Sequence, residues 1–333
     1  MSSSRQPPTF SVIIPTFNRA HLLPRAIRSV LAQTFQDYEL IVADDASTDQ
    51  TWKVMQSFTD QRINYIRRTE NGGNAATRNT GVLSARGKYV CFLDDDDEYL
   101  PDFLEATRRA FDATPQNVGL SWCGVRYIIN TAEGERVLRE GVWQPKFDSR
   151  EQAYLAFLRA RRVGLGFGVT IRKTCFDAVG LFDESLRVAV DTEFFTRLVR
   201  QFDFVVVPTV HVKLHRHHGG PRVKTYSRQM AEAYERIIAK NHEHLRGHNE
   251  LYALLYYKTG WLYYHAEDRS RARRFMRQAL QKNPLQVKAW LALLLFEVLG
   301  SLAPRLHKHA SAGLKWLRKP SLRSLRTQTQ KNS

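Results

Sequence analysis

Four short apolar runs mark the first hundred residues: "FSVIIP" (Phe10 to Pro15), "YELIVADD" (Tyr38 to Asp45), "INYIRR" (Ile63 to Arg68) and "KYVCFLDD" (Lys88 to Asp95). Each is rich in β-branched or aromatic residues and ends in proline, aspartate or another charge, a pattern that predicts strands. Between them, "HLLPRAIRSVLAQT", "DQTWKVMQSF" and "NAATRNTGVLSA" repeat apolar residues at helical spacing. Strands alternating with helices predict a parallel, doubly wound sheet with right-handed crossovers.

Further along, "PDFLEATRRAFDA" predicts a helix, and "VGLSWCGVRYII" with "GERVLREGVW" a hairpin turning at Glu133-Gly134. A helix from Glu151 to Ala160, a glycine-rich strand "GLGFGVTIRK", a helix from Asp191 to Arg200 and a strand "FDFVVVP" follow. These make one mixed α/β domain over residues 9–220, after a disordered N-terminus at 1–8. Residues 221–303 then read as helices. Gly260, Tyr263, Ala272, Met276, Ala279 and Pro284 fall where a tetratricopeptide-like hairpin places its small contacts and its exit proline. "AWLALLLFEVLG" (Ala289 to Gly300) is too short to span a bilayer and fits either a buried helix or one lying in a membrane interface.

Composition narrows the class. With 43% hydrophobic residues in 333, the chain carries a substantial core. Its three cysteines (Cys91, Cys123, Cys175) are dispersed and form no CxxC pair, so neither a disulfide framework nor a zinc site is indicated and a reducing cytosol is expected. No secretory signal or spanning segment is read. The net charge of +17 is uneven: from Pro221 onward 22 Lys and Arg face 7 Asp and Glu, which leaves +2 for the first 220 residues. The tail at 304–333 is basic throughout and suits an anionic membrane surface; it is either a peripheral anchor at the inner face of the cytoplasmic membrane or a solvated tail without a partner. Nucleic acid is not expected, because Trp316 stands alone rather than in a stacking platform.

In an open α/β sheet ligands gather beyond the carboxyl ends of the strands. Here those ends read Thr16, then Asp44 and Asp45, then Asp94 to Asp97. Four adjacent carboxylates need a compensating cation. If the segment is extended, Asp94 and Asp96 share one side and Asp95 and Asp97 the other. Hard oxygen donors with few protein contacts favour Mg²⁺ or Mn²⁺ bridging a diphosphate. The alternative is that the acids cap the next helix, whose first turn Pro101 suits.

In order and approximate spacing, "SVIIPTFNR", "LIVADDASTD", "NGGNAATRNTG", "FLDDDDEYLP" and "GLFDESLRVAVDTEFFTRLV" resemble the motifs of family 2 glycosyltransferases of the GT-A fold, over about the first 220 residues. The resemblance implies a GT-A doubly wound mixed sheet with a Rossmann-like N-terminal half, and an inverting transfer from a nucleotide-diphosphate sugar, most simply UDP-linked, to a hydroxyl of a glycan or lipid-linked acceptor in cell-surface polysaccharide biosynthesis. It implies that Pro15 and Thr16 line the nucleotide pocket, that Asp45 accepts from the base edge, that Arg78 approaches the base or phosphates, and that Asp94 and Asp95 belong to the nucleotide site. Asp96 becomes the main ligand of a divalent cation (Mg²⁺ or Mn²⁺). Asp191 matches the catalytic base, with Glu193 as the fallback because Val190 stands where many relatives have an acid; Asp191 alternatively caps its helix. Arg216 and His218, in "HVKLHRHHGGPR" after the last strand, match a motif near the metal or diphosphate. A different class remains as the alternative: a non-catalytic basic scaffold or nucleic-acid-associated protein on a GT-A-like domain.

Overall fold

The computed structural model describes residues 6–131, 134–159, 163–216 and 224–298. The chain divides into two compact units near residue 222.

The first unit is built on one sheet. Its strands are β1 (Phe10–Thr16), β2 (Tyr38–Asp44), β3 (Ile63–Arg67), β4 (Tyr89–Phe92), β5 (Glu98–Tyr99), β6 (Val118–Thr131), β7 (Gly134–Gly141), β8 (Thr170–Arg172) and β9 (Asp203–Arg216). The order is β3-β2-β1-β4-β8-β6-β9-β5, with β7 paired to β6. The first four strands run parallel, in register Thr16↔Asp44 and Ile13↔Phe92. β8 then runs antiparallel to β4 and β6, β6 and β9 are parallel, and β5 is antiparallel to β9. The sheet is therefore mixed. β1, β2 and β4 are nearly continuous buried apolar runs, as expected where helices cover both faces.

The helices of this unit are α1 (Leu23–Leu31), α2 (Thr51–Gln56), α3 (Asn74–Ser84), α4 (Phe103–Asp112), α5 (Arg150–Arg159), α6 (Thr174–Val179) and α7 (Val190–Gln201). Leu23, Ala26, Ile27 and Val30 of α1 form the stripe that packs on β1 and β2. Gly81 lets α3 approach the sheet: a Cβ there would meet Ile13 Cγ2 at 2.5 Å.

Three expectations need correction. "GLGFGVTIRK" is a strand only at Thr170–Arg172; residues 164–169 turn, with Gly168 at φ 62°. The last strand does not stop at Pro208 but runs on to Arg216, because β6 and β5 offer it partners on both edges. The four aspartates are not extended. Asp97 N–H donates to the Asp94 carbonyl at 3.0 Å, closing a tight turn.

In the second unit, α8 (Lys224–Lys240), α9 (His242–Leu245), α10 (Asn249–His265), α11 (Arg269–Lys282) and α12 (Val287–Val298) follow one another. α10 and α11 form a hairpin capped by Asp268, which accepts the Arg271 N–H at 3.0 Å. A Cβ at Gly260 would stand 3.0 Å from Met276 Cε, so the missing side chain sets how closely these helices approach. On α12, Ala289, Ala292 and Phe296 are buried, Phe296 stacking on Tyr264 at 4.3 Å, while Trp290, Leu291 and Leu294 are exposed. α12 is therefore not a fully buried helix: one face is core, and the other, apolar, is open. No helix among the described residues is long and apolar enough to cross a membrane. The basic tail lies outside the described residues.

Candidate functional site

Two cavities meet at Asp94 and Asp96. The first, about 490 Å³, is lined by Pro15, Thr16, Phe17, Arg19, Asp45, Asn71, Gly73, Asn74, Thr77, Asp94, Asp95 and Asp96. The parallel register assembles it: β1 and β2 end level at Thr16 and Asp44, while β4 ends level with Ile13, so that the residues following Phe92 bring Asp94 to Asp96 up to the same rim. Hydrogen bonds then fix the rim. Asp45 is buried and accepts the N–H groups of Gly72 at 2.9 Å and Gly73 at 2.8 Å, with Arg68 at 3.1 Å. Asn18, itself at φ 53°, accepts from the N–H groups of Thr48 and Asp49 and so ties the loop after β1 to the loop after β2. Gly73 opens α3 at φ 82°, where a Cβ would collide with the Arg187 guanidinium.

The second cavity, about 550 Å³, is lined by Arg78, Asp94, Asp96, Asp97, Tyr127, Arg139, Gly164 to Phe167, Asp191 and Leu214 to Arg216. The glycine turn lets its two acidic walls close in. A Cβ on Gly164 would stand 3.2 Å from Asp191 Oδ2, and one on Gly166 3.0 Å from Asp94 Oδ2. Asp191 does not cap α7. The cap position is Ala189, held at φ 56°, and Asp191 stands one residue inside the first turn. A non-glycine residue held in the left-handed region is strained by about 1–3 kcal/mol, a cost that structures retain chiefly where it positions something.

The aspartate turn divides its own side chains. Asp95 and Asp97 are buried, whereas the side chains of Asp94 and Asp96 are 38% and 21% exposed and face the cavities. The predicted alternation survives, produced by a turn rather than by strand geometry. Asp95 accepts from Thr16 Oγ1 at 2.8 Å and pairs with Arg19 at 2.9 Å, and Arg19 also reaches Asp96 at 2.8 Å. Arg78 pairs with Asp94 at 2.8 Å. The acids do not cap α4: β5 intervenes, and the cap residue is Asp102.

Positive charge in the turn is nonetheless short. Burial, reinforced by Asp94 and Asp96, pushes the Asp97 carboxyl up to about 9, even though it accepts the His215 N–H at 2.8 Å. Burial lifts Asp95 to about 6 against the opposing pull of Arg19 and Thr16. Hard carboxylate oxygens crowded beyond the charge their arginines supply, with two of the four open to a cavity, fit a divalent cation such as Mg²⁺ or Mn²⁺.

The predicted residues therefore sort as follows. Pro15, Thr16, Asp45, Asp94, Asp95 and Asp96 come together in the first cavity. Arg78 lies in the second rather than in the first, because its guanidinium follows Asp94. Asp191 and Arg216 share that second cavity. The fallback Glu193 is fully buried and held by Arg197 at 2.9 and 3.0 Å, outside the cavity lining. His218 lies outside the described residues. The histidine the structure does bring to the turn is His215, whose side chain is 1% exposed and whose Nε2 meets Glu98 at 2.6 Å. With Glu135 these form a group whose ligand atoms lie within 4.8 Å, though Arg25 and Lys213 already approach the two glutamates. Reading "HVKLHR" as strand alternation would have placed His211 and His215 inward. Tyr127, Arg139 and the glycine turn carried no readable signal.

Residues 11–173 match "Glycosyl transferase family 2". Over 100 residues the chain is 47% identical to the GalNAc(5)-diNAcBac-PP-undecaprenol beta-1,3-glucosyltransferase of Campylobacter jejuni, a stretch covering 29% of this chain and 32% of that one. Against the first four curated relatives it matches, the chain spans between 36% and 63% of their length. Among solved structures, S. aureus TarS 1-349 in complex with UDP-GlcNAc superposes with a TM-score of 0.60 at 18% identity, over 92% of this chain and 88% of that one. The mannosyltransferase PcManGT of Pyrobaculum calidifontis, in complex with GDP-Man and Mn²⁺, superposes at 0.54 and 19% identity, over 94% and 88%. At such identities the likeness shows the fold, a GT-A-type mixed sheet.

Proposed function

We propose, from the premise that residues 11–173 form a family 2 glycosyl transferase region, that the chain moves a sugar from a nucleotide-diphosphate donor to a hydroxyl of a glycan or lipid-linked acceptor, with inversion, in the making of a cell-surface polysaccharide. The observation that carries this reading is the seam: Asp94 and Asp96 line both cavities, and Asp191 lines only the second. The nucleotide occupies the first cavity, its base toward Asp45 and its ribose toward Asp94 and Asp95, with uridine the simplest fit. The transferred sugar crosses the seam into the second cavity, where the acceptor enters.

Asp191 takes the proton of the acceptor hydroxyl as that oxygen attacks the anomeric carbon and the bond from that carbon to the diphosphate oxygen breaks. A divalent cation held by Asp96, with Asp94 beside it, would supply charge stabilisation to the leaving diphosphate. Arg78 and Arg19 steady the carboxylates of the turn, and Gly164 and Gly166 keep the space between base and seam clear. The TarS complex with UDP-GlcNAc and the PcManGT complex with GDP-Man and Mn²⁺ support the donor class and the cation; the C. jejuni enzyme supports a lipid-linked acceptor. Membrane attachment through residues 304–333, and a place at the inner face of the membrane, are part of the same proposal.

The test is a panel of nucleotide sugars, each titrated calorimetrically with Mn²⁺ and followed for metal-dependent hydrolysis. One or more should bind and be cleaved. A chain that binds none of them would end the proposal.

A further inference from the structure

Three neighbouring strands bring together a group of side chains that the transfer chemistry above leaves unused. Tyr127 of β6 stands directly opposite Arg139 of β7, and on its other side opposite Leu214 of β9, two residues before Arg216. The guanidinium carbon of Arg139 lies 4.2 Å from the centre of the Tyr127 ring, and that of Arg216 lies 5.4 Å from it. All three line the cavity that Asp191 lines.

Nearby cations are already matched. Arg78 pairs with Asp94, Lys213 with Glu135 and Arg126 with Glu140. Arg139 and Arg216 differ, since neither forms an ion pair with a carboxylate among the described residues, and both are exposed. Stacking on Tyr127 restrains both forks and holds two unneutralised positive charges beside one ring. Such a pair is suited to an anion carrying several acceptor oxygens, because guanidinium and phosphate meet through parallel, charge-assisted hydrogen bonds.

We infer that Arg139 and Arg216, aligned by Tyr127, form a phosphate subsite for the acceptor, so that the alcohol entering this cavity bears a phosphate or phosphodiester close to the hydroxyl that reacts. The inference rests on the glycosyl-transfer reading of the cavity. Two features favour the acceptor over the donor as the source. The donor's diphosphate is assigned to the seam at Asp96, and the arginines, on β7 and at the end of β9, line the second cavity and not the first. Closeness follows from the shared lining, since both arginines stand in the cavity whose wall carries Asp191.

Calorimetry on the full chain saturated with UDP and Mn²⁺ tests this, with glycerol 3-phosphate as titrant and glycerol as the neutral control. Glycerol 3-phosphate should bind at one site and glycerol should not. Arg139→Gln and Arg216→Gln should each weaken that binding at least tenfold and leave UDP affinity within twofold. Absence of glycerol 3-phosphate binding, or binding unchanged in both variants, overturns the subsite. A tenfold loss of UDP affinity in the variants instead assigns the pair to the donor diphosphate and overturns the acceptor assignment. A parent chain that fails to bind UDP or any other nucleotide removes the transferase reading itself, an outcome distinct from losing glycerol 3-phosphate binding alone. Thermal melts that match the parent show the variants to be folded, as the exposed position of both arginines leads one to expect.

Discussion

The two cavities share a wall yet are made in opposite ways. The first is built on the ends of three parallel strands lying side by side, joined by Asn71, Gly73, Asn74 and Thr77 from the start of α3 and the loop before it, so Thr16, Asp45 and Asp94 to Asp96 follow directly from where an apolar run stops. The second draws on β6, β7, β9, the glycine turn and the start of α7, elements far apart in the chain. The first is also tightly cross-linked by backbone hydrogen bonds to Asp45 and Asn18, whereas the second is lined by arginines and by Asp191, two residues beyond the left-handed Ala189. The difference teaches that the cavity proposed for the nucleotide is a local property of the fold, while the cavity proposed for the chemistry depends on tertiary assembly.

Substitutions can separate the two. The largest effect is expected for Asp191→Asn, which touches only the second cavity: turnover should fall by about 10²–10⁴-fold, with nucleotide affinity unchanged by calorimetry. Transfer at the parental rate would remove Asp191 from the role of base. Next is Asp96→Asn at the seam, which should lose Mn²⁺-dependent nucleotide binding and turnover together, by at least the roughly 10–100-fold that loss of a metal ligand's outer-shell partner costs; intact metal-dependent binding would move the cation elsewhere. Asp45→Ala strikes the first cavity alone. It strands the N–H groups of Gly72 and Gly73 and removes the ion pair of Arg68, which keeps its hydrogen bonds to Ala76 and Thr80, and should cost about 1–3 kcal/mol of stability, read by denaturant titration, with weakened nucleotide binding. A variant as stable as the parent would show that these contacts contribute little.

Acidity offers a fourth effect, read in stability alone. The Asp97 carboxyl titrates at about 9 in the folded chain, above its ordinary range near 4. The proton it keeps favours folding below the unfolded value, and that contribution is lost as pH rises through the folded one. Without metal, stability should therefore decline as pH rises from about 4 toward 9; Asp97→Asn should flatten the decline, and Mn²⁺ should reduce it. Thermal melts across this range, with and without Mn²⁺, check the sign. The smallest effect belongs to Ala189→Gly, which relieves the left-handed strain and should change stability by no more than about 1 kcal/mol. A large loss would mean that the Ala189 side chain matters for more than its backbone.

Much of this was legible beforehand. The parallel half of the sheet followed from four apolar runs alternating with helical stripes, and the residues beyond those runs, Thr16, Asp45 and Asp94 to Asp96, do converge. Asp191 was legible from its motif alone, and its cavity was not. The misread segments share a cause. "GLGFG" is apolar enough for a strand, yet glycine's freedom lets it turn, and its close packing against Asp94, Asp191, Cys123 and Phe103 comes from remote segments. "HVKLHR" resembles a polar loop until β5 and β6 supply it with partners. A strand's polar positions look like loop when the partner carboxylates, here Asp97 and Glu98, lie more than a hundred residues away.

What the sequence determined by itself was the period of its apolar residues and the points where each run ends, because these depend on neighbours within a few residues. That was enough for the α/β order and the acidic rim. What the tertiary structure alone decided was which distant side chains face one another: the turn that buries Asp97 and exposes Asp96, the placing of Asp191 across from that turn, and the sandwich of Arg139, Tyr127 and Arg216. Those depend on strand register and close packing between remote segments, and no local pattern encodes them.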